Sequence, residues 1–436
     1  MRPRIPTLVM LAASAAGLYF SGYLTSDFVE HLDRQTHDIH CSFIPGLLAS
    51  DPSAASGCHA ALMSPYSSVF RDALWGGLPV ALPGMAVFAY LLYRSVELIV
   101  NKRDRDVHAA RFAVAAWLLP LLTSAVFGYI AATQLSEFCK LCIGIYTSSA
   151  VGFGAALALA VGAGKAAAPL QTEEGEEVAE DEAPAGPGPT PWGQHIVGVV
   201  EGVVFVGVAV GLYFSFVPNF DKYIGTCGAL EKPEDPYGVM VSLGAHHTGK
   251  PTIEVLDPLC PSCAGFEKRL VASGLDAELD RKAVLFPLDN TCNWMISSAL
   301  HPGACAVSEA VLCAGENADK VIAWAFEHSE EVRTAATADP TAAATMVAAA
   351  FPEVKDCLGT AAAKQKLNRS LRWAVANHLQ VLTPQVYVEG TKLCDEDTDM
   401  GMDWALTRLL AKGEGAPATG ASTPTPTPTT PTEVTP

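Results

Sequence analysis

Charged residues are scarce in this chain of 436 residues, at 17% of the total, while hydrophobic residues make up 50%. Acidic residues outnumber basic ones, with 46 Asp and Glu and only 28 Lys and Arg, which gives a formal net charge of −18. Nucleic acids are bound through clustered Lys and Arg, so this balance argues against a nucleic-acid partner. The sequence also lacks an internal repeat that would indicate a solenoid. Low charge with high apolar content is typical of a membrane part fused to a soluble part.

Cysteine, in contrast, is frequent. The chain has 12 cysteines, several of them spaced as pairs. Cytosolic thiols are kept reduced, so this number indicates an oxidising location such as a bacterial periplasm or another exoplasmic space. The even count permits complete pairing but does not establish it.

Long runs without a charged side chain suggest membrane-spanning helices, since each has about the length needed to cross a bilayer. They cover Pro6–Leu24, Trp75–Tyr93, Phe112–Ser136, Leu141–Gly164 and Gly202–Phe220. The first run follows Arg2 and Arg4 and has some features of a signal peptide. The further spans and the lack of a clear small-residue cleavage site favour an uncleaved anchor.

The basic segment from Arg94 to Arg111 predicts the orientation, because such clusters normally stay in the cytoplasm. Arg2 and Arg4 belong on the same side, so the first four helices run outward, inward, outward and inward. The linker over residues 165–195 is acidic and rich in Pro and Gly, so it is expected to be flexible and cytoplasmic. A fifth transmembrane helix over residues 196–220 then returns the chain to the exoplasmic side.

A Cys-x-x-Cys pair, Cys260-Pro261-Ser262-Cys263, lies on the soluble part. It follows a predicted strand at Thr252–Leu256 and opens an amphipathic helix that runs to about Ala272. A thiolate at a helix N-terminus is stabilised by unpaired N–H groups, so Cys260 is expected to have a lowered pKa and Cys263 to resolve a mixed disulfide. The alternatives are a structural disulfide or half of a zinc site. A structural zinc site usually needs four ligands, and the domain has no second Cys-x-x-Cys, with His246-His247 upstream as a weak candidate pair. Redox chemistry is therefore favoured and no metal is expected.

The order of elements around this pair carries a resemblance. After it come a predicted strand at Ala283–Leu288, Ala-rich helices at Cys305–Glu327 and Ala361–Gln380, a strand at Gln385–Glu389 introduced by Thr383-Pro384, and a helix at Met402–Lys412. This order resembles the DsbA-like branch of the thioredoxin fold. The resemblance implies that Pro384 is a cis-proline beside the active-site disulfide and that Thr383 and Pro384 help bind substrate. It also implies that Glu254 is a buried acid that assists proton transfer.

A second pair, Cys139-Lys140-Leu141-Cys142, opens the fourth apolar run. Upstream lie Cys58-His59-Ala60-Ala61-Leu62-Met63-Ser64-Pro65-Tyr66 and then Gly76-Gly77-Leu78-Pro79. Over roughly residues 6–164 this combination resembles the vitamin K epoxide reductase family, and the fusion resembles its bacterial thioredoxin-linked homologues. The resemblance implies that Cys41 and Cys58 are the outer and inner loop cysteines, that Cys139 accepts electrons from Cys58, and that Cys142 faces a quinone. It also implies that Ser64 lies near the quinone head group.

Several alternatives remain at the other cysteines. Sixteen residues separate Cys41 from Cys58, a wider gap than the usual loop pair, and a fixed loop disulfide is the alternative there. The six remaining cysteines are expected to be structural, and Cys292 with Cys305, or Cys313 with Cys357, would staple the helical insertion. They are Cys227, Cys292, Cys305, Cys313, Cys357 and Cys394. His301 and the other histidines lack metal-ligand spacing and are expected on the surface or in the core.

The sequence thus predicts a multi-domain protein. It consists of an all-α transmembrane four-helix bundle (1–164), the linker (165–195), a fifth transmembrane helix (196–220), an α/β thioredoxin-like domain with a helical insertion (221–412) and a disordered Pro/Thr-rich tail (413–436). The predicted function is a multi-pass inner-membrane oxidoreductase that oxidises exoplasmic client thiols and passes the electrons to ubiquinone or menaquinone. One alternative is a disulfide reductase or isomerase with reversed electron flow. Another is a non-catalytic, disulfide-stapled membrane receptor or metal chaperone.

Overall fold

The computed structural model describes residues 4–34, 58, 61–103, 105–135, 138–167, 191–244 and 248–413. Most of the linker predicted over residues 165–195 lies outside these ranges, as do Cys41 and nearly all of the tail predicted over residues 413–436.

Five helices in the described residues are long and apolar enough to cross a membrane. They are α1 (Arg4–Glu30), α2 (Ala81–Val100), α3 (Val107–Ile130), α4 (Lys140–Ala167) and α5 (Pro191–Phe216). Helix α1 packs against both α2 and α4, α3 packs against α4, and α5 packs against α2. The predicted helical membrane region with a fifth helix is therefore confirmed.

Polar contacts join the end of α2 to the start of α5. Arg94 Nη1 lies 3.3 Å from Glu201 Oε2, and the Tyr90 hydroxyl donates to the carbonyl of Gly198 at 2.6 Å. Arg103, just after α2, donates to Gln194 Oε1 at 2.7 Å. The basic segment expected in the cytoplasm therefore lies at the same end of the helices as the start of α5.

A short β-hairpin precedes α2, and the sequence analysis did not predict it. Strand β1 (Ser68–Val69) pairs antiparallel with β2 (Leu78–Pro79). The turn between them needs Gly76 and Gly77, whose φ angles of +73° and +76° are ones that other residues rarely adopt. The Tyr213 hydroxyl of α5 donates to the carbonyl of Gly77 at 2.5 Å, which ties the hairpin to the fifth helix.

A five-stranded sheet forms the centre of the soluble domain, in the order β3-β5-β4-β6-β7. Its strands are β3 (Val241–Ser242), β4 (Lys250–Leu256), β5 (Leu279–Leu285), β6 (Gln385–Val388) and β7 (Thr391–Lys392). Strands β4 and β5 are parallel and are connected through α6 (Pro261–Ser273), while β6 runs antiparallel to β4 and α12 (Met402–Gly413) closes the domain. This topology confirms the thioredoxin-like fold.

Five helices form the insertion between β5 and β6. They are α7 (Ala304–Cys313), α8 (Ala318–Glu327), α9 (Ser329–Ala338), α10 (Ala342–Ala350) and α11 (Ala361–Ala376). The single helix predicted over Cys305–Glu327 is wrong, because Gly315 adopts a φ of +59° and a 3-10 turn separates α7 from α8. Strand β5 starts four residues before the strand predicted at Ala283–Leu288 and ends at Leu285. Three consecutive charged residues, Asp280, Arg281 and Lys282, hide the apolar alternation at its start.

Three disulfide bonds fasten this domain. Cys292–Cys305 and Cys313–Cys357 staple the insertion, so both pairings considered from the sequence form together. The third bond, Cys227–Cys394, joins residues 167 positions apart and ties the segment after α5 to the segment after β7. Crosslinks that close long loops stabilise a fold mainly by restricting the unfolded chain.

The soluble domain packs on one end of the membrane helices. A shared apolar cluster contains Phe28 and Trp75 from the membrane region and Phe266 and Trp404 from α6 and α12. Within this contact, the guanidinium of Arg34, just after α1, donates to both carboxylate oxygens of Asp397 at 3.0 and 2.9 Å. The Trp75 indole N–H donates to the same carboxylate at 2.7 Å. A buried charge is thereby paired across the two domains, as burial requires.

Candidate redox site

The soluble cysteine pair starts α6. Cys260 is the N-cap residue in an extended conformation, and Pro261 takes the first helical position, where its missing N–H costs nothing. Strand β4 ends at Leu256 and a short turn follows, in which the Cys260 N–H donates to the carbonyl of Asp257 at 3.1 Å. Cys260 and Cys263 are free thiols and both are buried. The local geometry predicted for a thioredoxin-type pair is therefore present.

The two thiols differ in acidity. The hydrogen bond from Cys263 is the main reason that the pKa of Cys260 is lowered to about 6, and the Thr383 side chain adds to the effect. Burial, together with the neighbouring Cys260 sulfur, holds the pKa of Cys263 well above its ordinary value. Since only the thiolate is nucleophilic, Cys260 is the reactive member of the pair near neutral pH.

Thr383 and Pro384 lie beside Cys260. The peptide bond between them is cis, as the resemblance implies. Cys260 Sγ lies 3.5 Å from the carbonyl oxygen of Thr383, and this backbone leads directly into β6. The segment expected to bind substrate is thus at the reactive sulfur.

Glu254 is buried in β4, as expected, but its hydrogen bonds do not go to the cysteines. Arg281 of β5 donates to its carboxylate at 2.5 and 3.2 Å and also pairs with Glu267 of α6. Burial raises the pKa of Glu254 in spite of the guanidinium, and the two carboxylates raise the pKa of Arg281. The contacts of Glu254 are those of a buried ion pair, and its proton-transfer role stays a prediction.

A different acid lies next to the pair, and the sequence analysis missed it. Asp257 is fully buried and comes three residues before Cys260. Its carboxylate accepts hydrogen bonds from the N–H groups of Leu259 and Leu288 and from the His301 imidazole, each at 2.7 Å. The position of Asp257 in the sequence was a usable signal. No comparable signal pointed to His301, because it lies in the loop before α7, far from Cys260 in the sequence.

The membrane pair lies where α4 begins. Cys139 precedes α4 and Cys142 is in its first turn, with the Cys142 N–H donating to Cys139 Sγ at 3.4 Å. Cys58 Sγ lies 3.4 Å from Cys139 Sγ, and these sulfurs share an apolar cluster with residues of α1. Cys58 is itself a disulfide sulfur, while Cys139 and Cys142 are free thiols. The predicted neighbours Cys58 and Cys139 are therefore in contact, and Cys41 lies outside the described residues.

An apolar cavity of about 100 Å³ adjoins Cys139 and Cys142. Its polar lining includes Ser64 and Tyr146, and Tyr146 lies one turn beyond Cys142 on α4. The Ser64 hydroxyl donates a hydrogen bond to the carbonyl of Ala61 at 2.9 Å, so the Ser64 oxygen can still accept one. A π-helical turn at Ala131–Leu135 forms another wall, and such turns are common at functional sites. The cavity suits a flat apolar ring with polar oxygens, and Tyr146 is a lining residue that the sequence analysis missed.

The membrane part of the chain is similar to a known protein family. Residues 8–157 match the model of the vitamin K epoxide reductase family. This part of the chain is a vitamin K epoxide reductase family domain. The crystal structure of reduced DsbA1 from Neisseria meningitidis matches 43% of this chain and 99% of its own, with 12% identity and a TM-score of 0.26. A comparison with curated protein sequences gives no match.

The vitamin K epoxide reductase domain holds Cys58, Cys139 and Cys142, and the thioredoxin-like domain holds Cys260 and Cys263. The two sets belong to different apolar clusters. Both domains meet at the end of the helix bundle where α1 ends and α4 begins. This combination supports a membrane oxidoreductase that acts on disulfides.

Proposed function

We propose that this protein is a quinone-dependent thiol oxidase of the plasma membrane, which makes disulfides in exoplasmic client proteins. The observation that carries the proposal is the 3.4 Å separation between Cys58 Sγ, a disulfide sulfur, and Cys139 Sγ, a free thiol. Exchange in either direction requires one sulfur to approach another in this way, so the contact supports electron transfer between the loop and membrane cysteines, and the direction needs a separate measurement. A disulfide that served only as a loop staple would not need a free thiol in contact.

The first step takes place at the oxidised Cys260–Cys263 pair. A client thiolate attacks Cys260 Sγ, and Cys263 leaves and takes up a proton. A second client thiolate then attacks the client sulfur of the mixed disulfide and releases Cys260 as a thiolate. The client gains one disulfide and the pair gains two electrons. Thr383 and Pro384 supply the backbone beside Cys260 on which a client segment lies.

The electrons then pass into the membrane domain. The Cys260 thiolate attacks Cys41, the proposed partner of Cys58, and Cys58 leaves, after which Cys263 displaces Cys41 and the soluble pair is oxidised again. The Cys58 thiolate attacks Cys139 of an oxidised Cys139–Cys142 pair, and Cys142 leaves as a thiolate at the cavity. The Cys41 thiolate then attacks Cys58, so the Cys41–Cys58 disulfide forms again and Cys139 leaves as a thiolate. A quinone bound there supplies a two-electron acceptor. Ser64 and Tyr146 would hold its oxygens through hydrogen bonds, and the apolar walls exclude water.

The test is quinone-dependent oxidation of a reduced peptide by the purified full-length protein, read as loss of quinone absorbance. Cys142→Ala is expected to abolish quinone reduction. Ile143→Ala is the matched control, because the neighbouring Ile143 side chain is 45% exposed on the outer face of α4. Unchanged quinone reduction in Cys142→Ala would overturn the proposal, and so would a wild-type protein that oxidises no peptide.

The direction of electron flow is tested separately, by measuring the reduction potential of the soluble cysteine pair. A reduction potential of the Cys260–Cys263 pair near that of DsbA, about −120 mV, supports an oxidase, whereas one near that of thioredoxin, about −270 mV, supports a reductase. The lowered pKa of Cys260 favours the oxidase, because a stabilised thiolate stabilises the reduced pair.

A further inference from the structure

A buried Asp–His pair lies behind the soluble cysteines. His301 Nδ1 is 2.7 Å from Asp257 Oδ2, and only 11% of the histidine side chain is exposed. Asp257 has no exposed surface and its carboxylate also accepts two backbone N–H groups. These hydrogen bonds hold the carboxylate in place. The carboxylate therefore fixes the orientation of the imidazole, with Nδ1 toward Asp257 and Nε2 facing away from it.

Asp257 also belongs to the turn that carries the reactive cysteine. Its carbonyl accepts the Cys260 N–H at 3.1 Å, so the side chain and main chain of one residue connect His301 to Cys260. Burial alone would lower the pKa of His301, but the hydrogen bond and the charge of Asp257 outweigh it, and the Cys260 charge adds to them, so the pKa is raised. Arg333 opposes this effect at His301. At Cys260 the charge of Asp257 raises the thiol pKa, and a protonated imidazole bound to that carboxylate offsets this charge.

We propose that His301, oriented by Asp257, is the cationic partner of the Cys260 thiolate and adds to the Cys263 hydrogen bond in determining the acidity and redox potential of the soluble pair. His301 is a positioning residue in this scheme, since it acts on charge and forms no bond to the substrate. The inference deepens the proposed function, because it rests on Cys260–Cys263 as a redox pair. A protonated imidazole in a buried site stabilises a nearby anion, and the anion in turn stabilises the protonated form of the imidazole.

The first experiment measures the alkylation of Cys260 against pH in the reduced full-length protein, with mass spectrometry of the Cys260 peptide as the readout. In His301→Gln the midpoint is expected to rise by about one pH unit, the lower end of the effect of a nearby opposite charge. Glutamine can still donate to Asp257 but carries no charge. His328→Gln is the matched control, because His328 is a half-buried histidine of the same domain whose ring bonds the carbonyl of Trp324.

The second experiment measures the equilibrium of the Cys260–Cys263 pair with glutathione at pH 7. If the pKa of Cys260 moves from about 6 to about 7, the reduced form loses roughly fivefold in relative stability, so the disulfide becomes that much harder to reduce. A merely structural histidine would change the melting temperature but neither the alkylation midpoint nor this equilibrium.

The outcomes separate the inference from the proposed function. If His301→Gln leaves both the midpoint and the equilibrium unchanged while the wild type oxidises peptide with quinone, the inference is wrong and the function stands. If both shift but the wild type reduces no quinone, the function is wrong and the role of His301 stands. Should His301→Gln fail to fold, the wild type still decides, because the pKa of His301 measured by NMR must fall when Cys260 is oxidised.

Discussion

Cys260 and Cys263 lie one helical turn apart, but the protein gives them opposite acidities. The pKa of Cys260 is lowered to about 6 by the Cys263 hydrogen bond, while burial raises the pKa of Cys263 well above its ordinary value. The reduced pair therefore carries one thiolate and one thiol over the physiological range. At pH values above the ordinary thiol pKa, the thiolate contributes its full stabilisation of the reduced form. This stabilisation is lost as the pH falls through about 6, the lowered pKa of Cys260.

The pH dependence of the reduction potential follows from this difference. Above pH 6 the pair takes up one proton per two electrons, so its potential should fall by about 30 mV per pH unit, whereas below pH 6 two protons give about 60 mV per unit. The measurement is the glutathione equilibrium of the full-length protein from pH 5 to pH 8. A slope of about 60 mV throughout would mean that Cys260 is not an acidic thiol.

Residue spacing predicted the reactive cysteines but not their electrostatic surroundings. Two Cys-x-x-Cys motifs and Thr383-Pro384 could be read from the chain because each is local in sequence. The charged residues around these cysteines are distant in the sequence. His301 lies 41 residues after Cys260, and Arg281 lies 27 residues after Glu254. Only the parallel pairing of β4 with β5 and the loop before α7 bring these groups together, which is why sequence spacing revealed neither the Arg281 partner of Glu254 nor the contact of His301 with Asp257.

The β1–β2 hairpin is the element that closes the cavity next to Cys139, and it depends on glycine. Pro79 and Val80 line the cavity. Gly77 has a φ of +76°, and a Cβ there would lie 2.6 Å from the carbonyl oxygen of Val69 in the facing strand. Helical periodicity could not reveal this hairpin, because each of its strands has only two residues.

We expect Gly77→Ala to destabilise the protein by about 1–3 kcal/mol, the cost of a left-handed backbone in a residue with a side chain. Quinone reduction should fall with it, because the wall of the cavity moves. Thermal unfolding and quinone turnover measure the two effects. Gly84→Ala is the control, since its Cβ would meet nothing within 4 Å on α2. Equal stability of the two variants would show that the hairpin turn tolerates a side chain.

At the scale of the whole molecule, we expect the contact between the domains to determine how often Cys260 meets the membrane cysteines. Asp397 is held by Arg34 and Trp75, and Asp403 of α12 lies 3.3 Å from Arg71 of the hairpin region. A linked partner acts at a high effective concentration, and docking raises it further. The sequence predicted the fusion and the common side of the membrane, but this interface joins residues more than 300 positions apart, so no local pattern could reveal it.

Gly401 offers a way to separate the domains without altering a charge or a cysteine. A Cβ at Gly401 would overlap the Trp75 indole ring, so Gly401→Ala should push α12 away from the membrane domain and break the Trp75–Asp397 hydrogen bond. Quinone reduction with a reduced peptide, which needs both domains, should drop several-fold. Quinone reduction with dithiothreitol, which can reduce the membrane domain directly, should not change.

The two substrates make the result decisive, because both rely on the cavity proposed to bind quinone and they differ only in their need for the soluble domain. Gly211→Ala is the control, as a Cβ there meets nothing within 4 Å near the end of α5. Equal loss with both substrates would mean that the substitution damages the membrane domain itself. An unchanged rate with the peptide would mean that transfer between the domains does not depend on this contact, and that the connection through α5 alone keeps the two cysteine pairs in reach of each other.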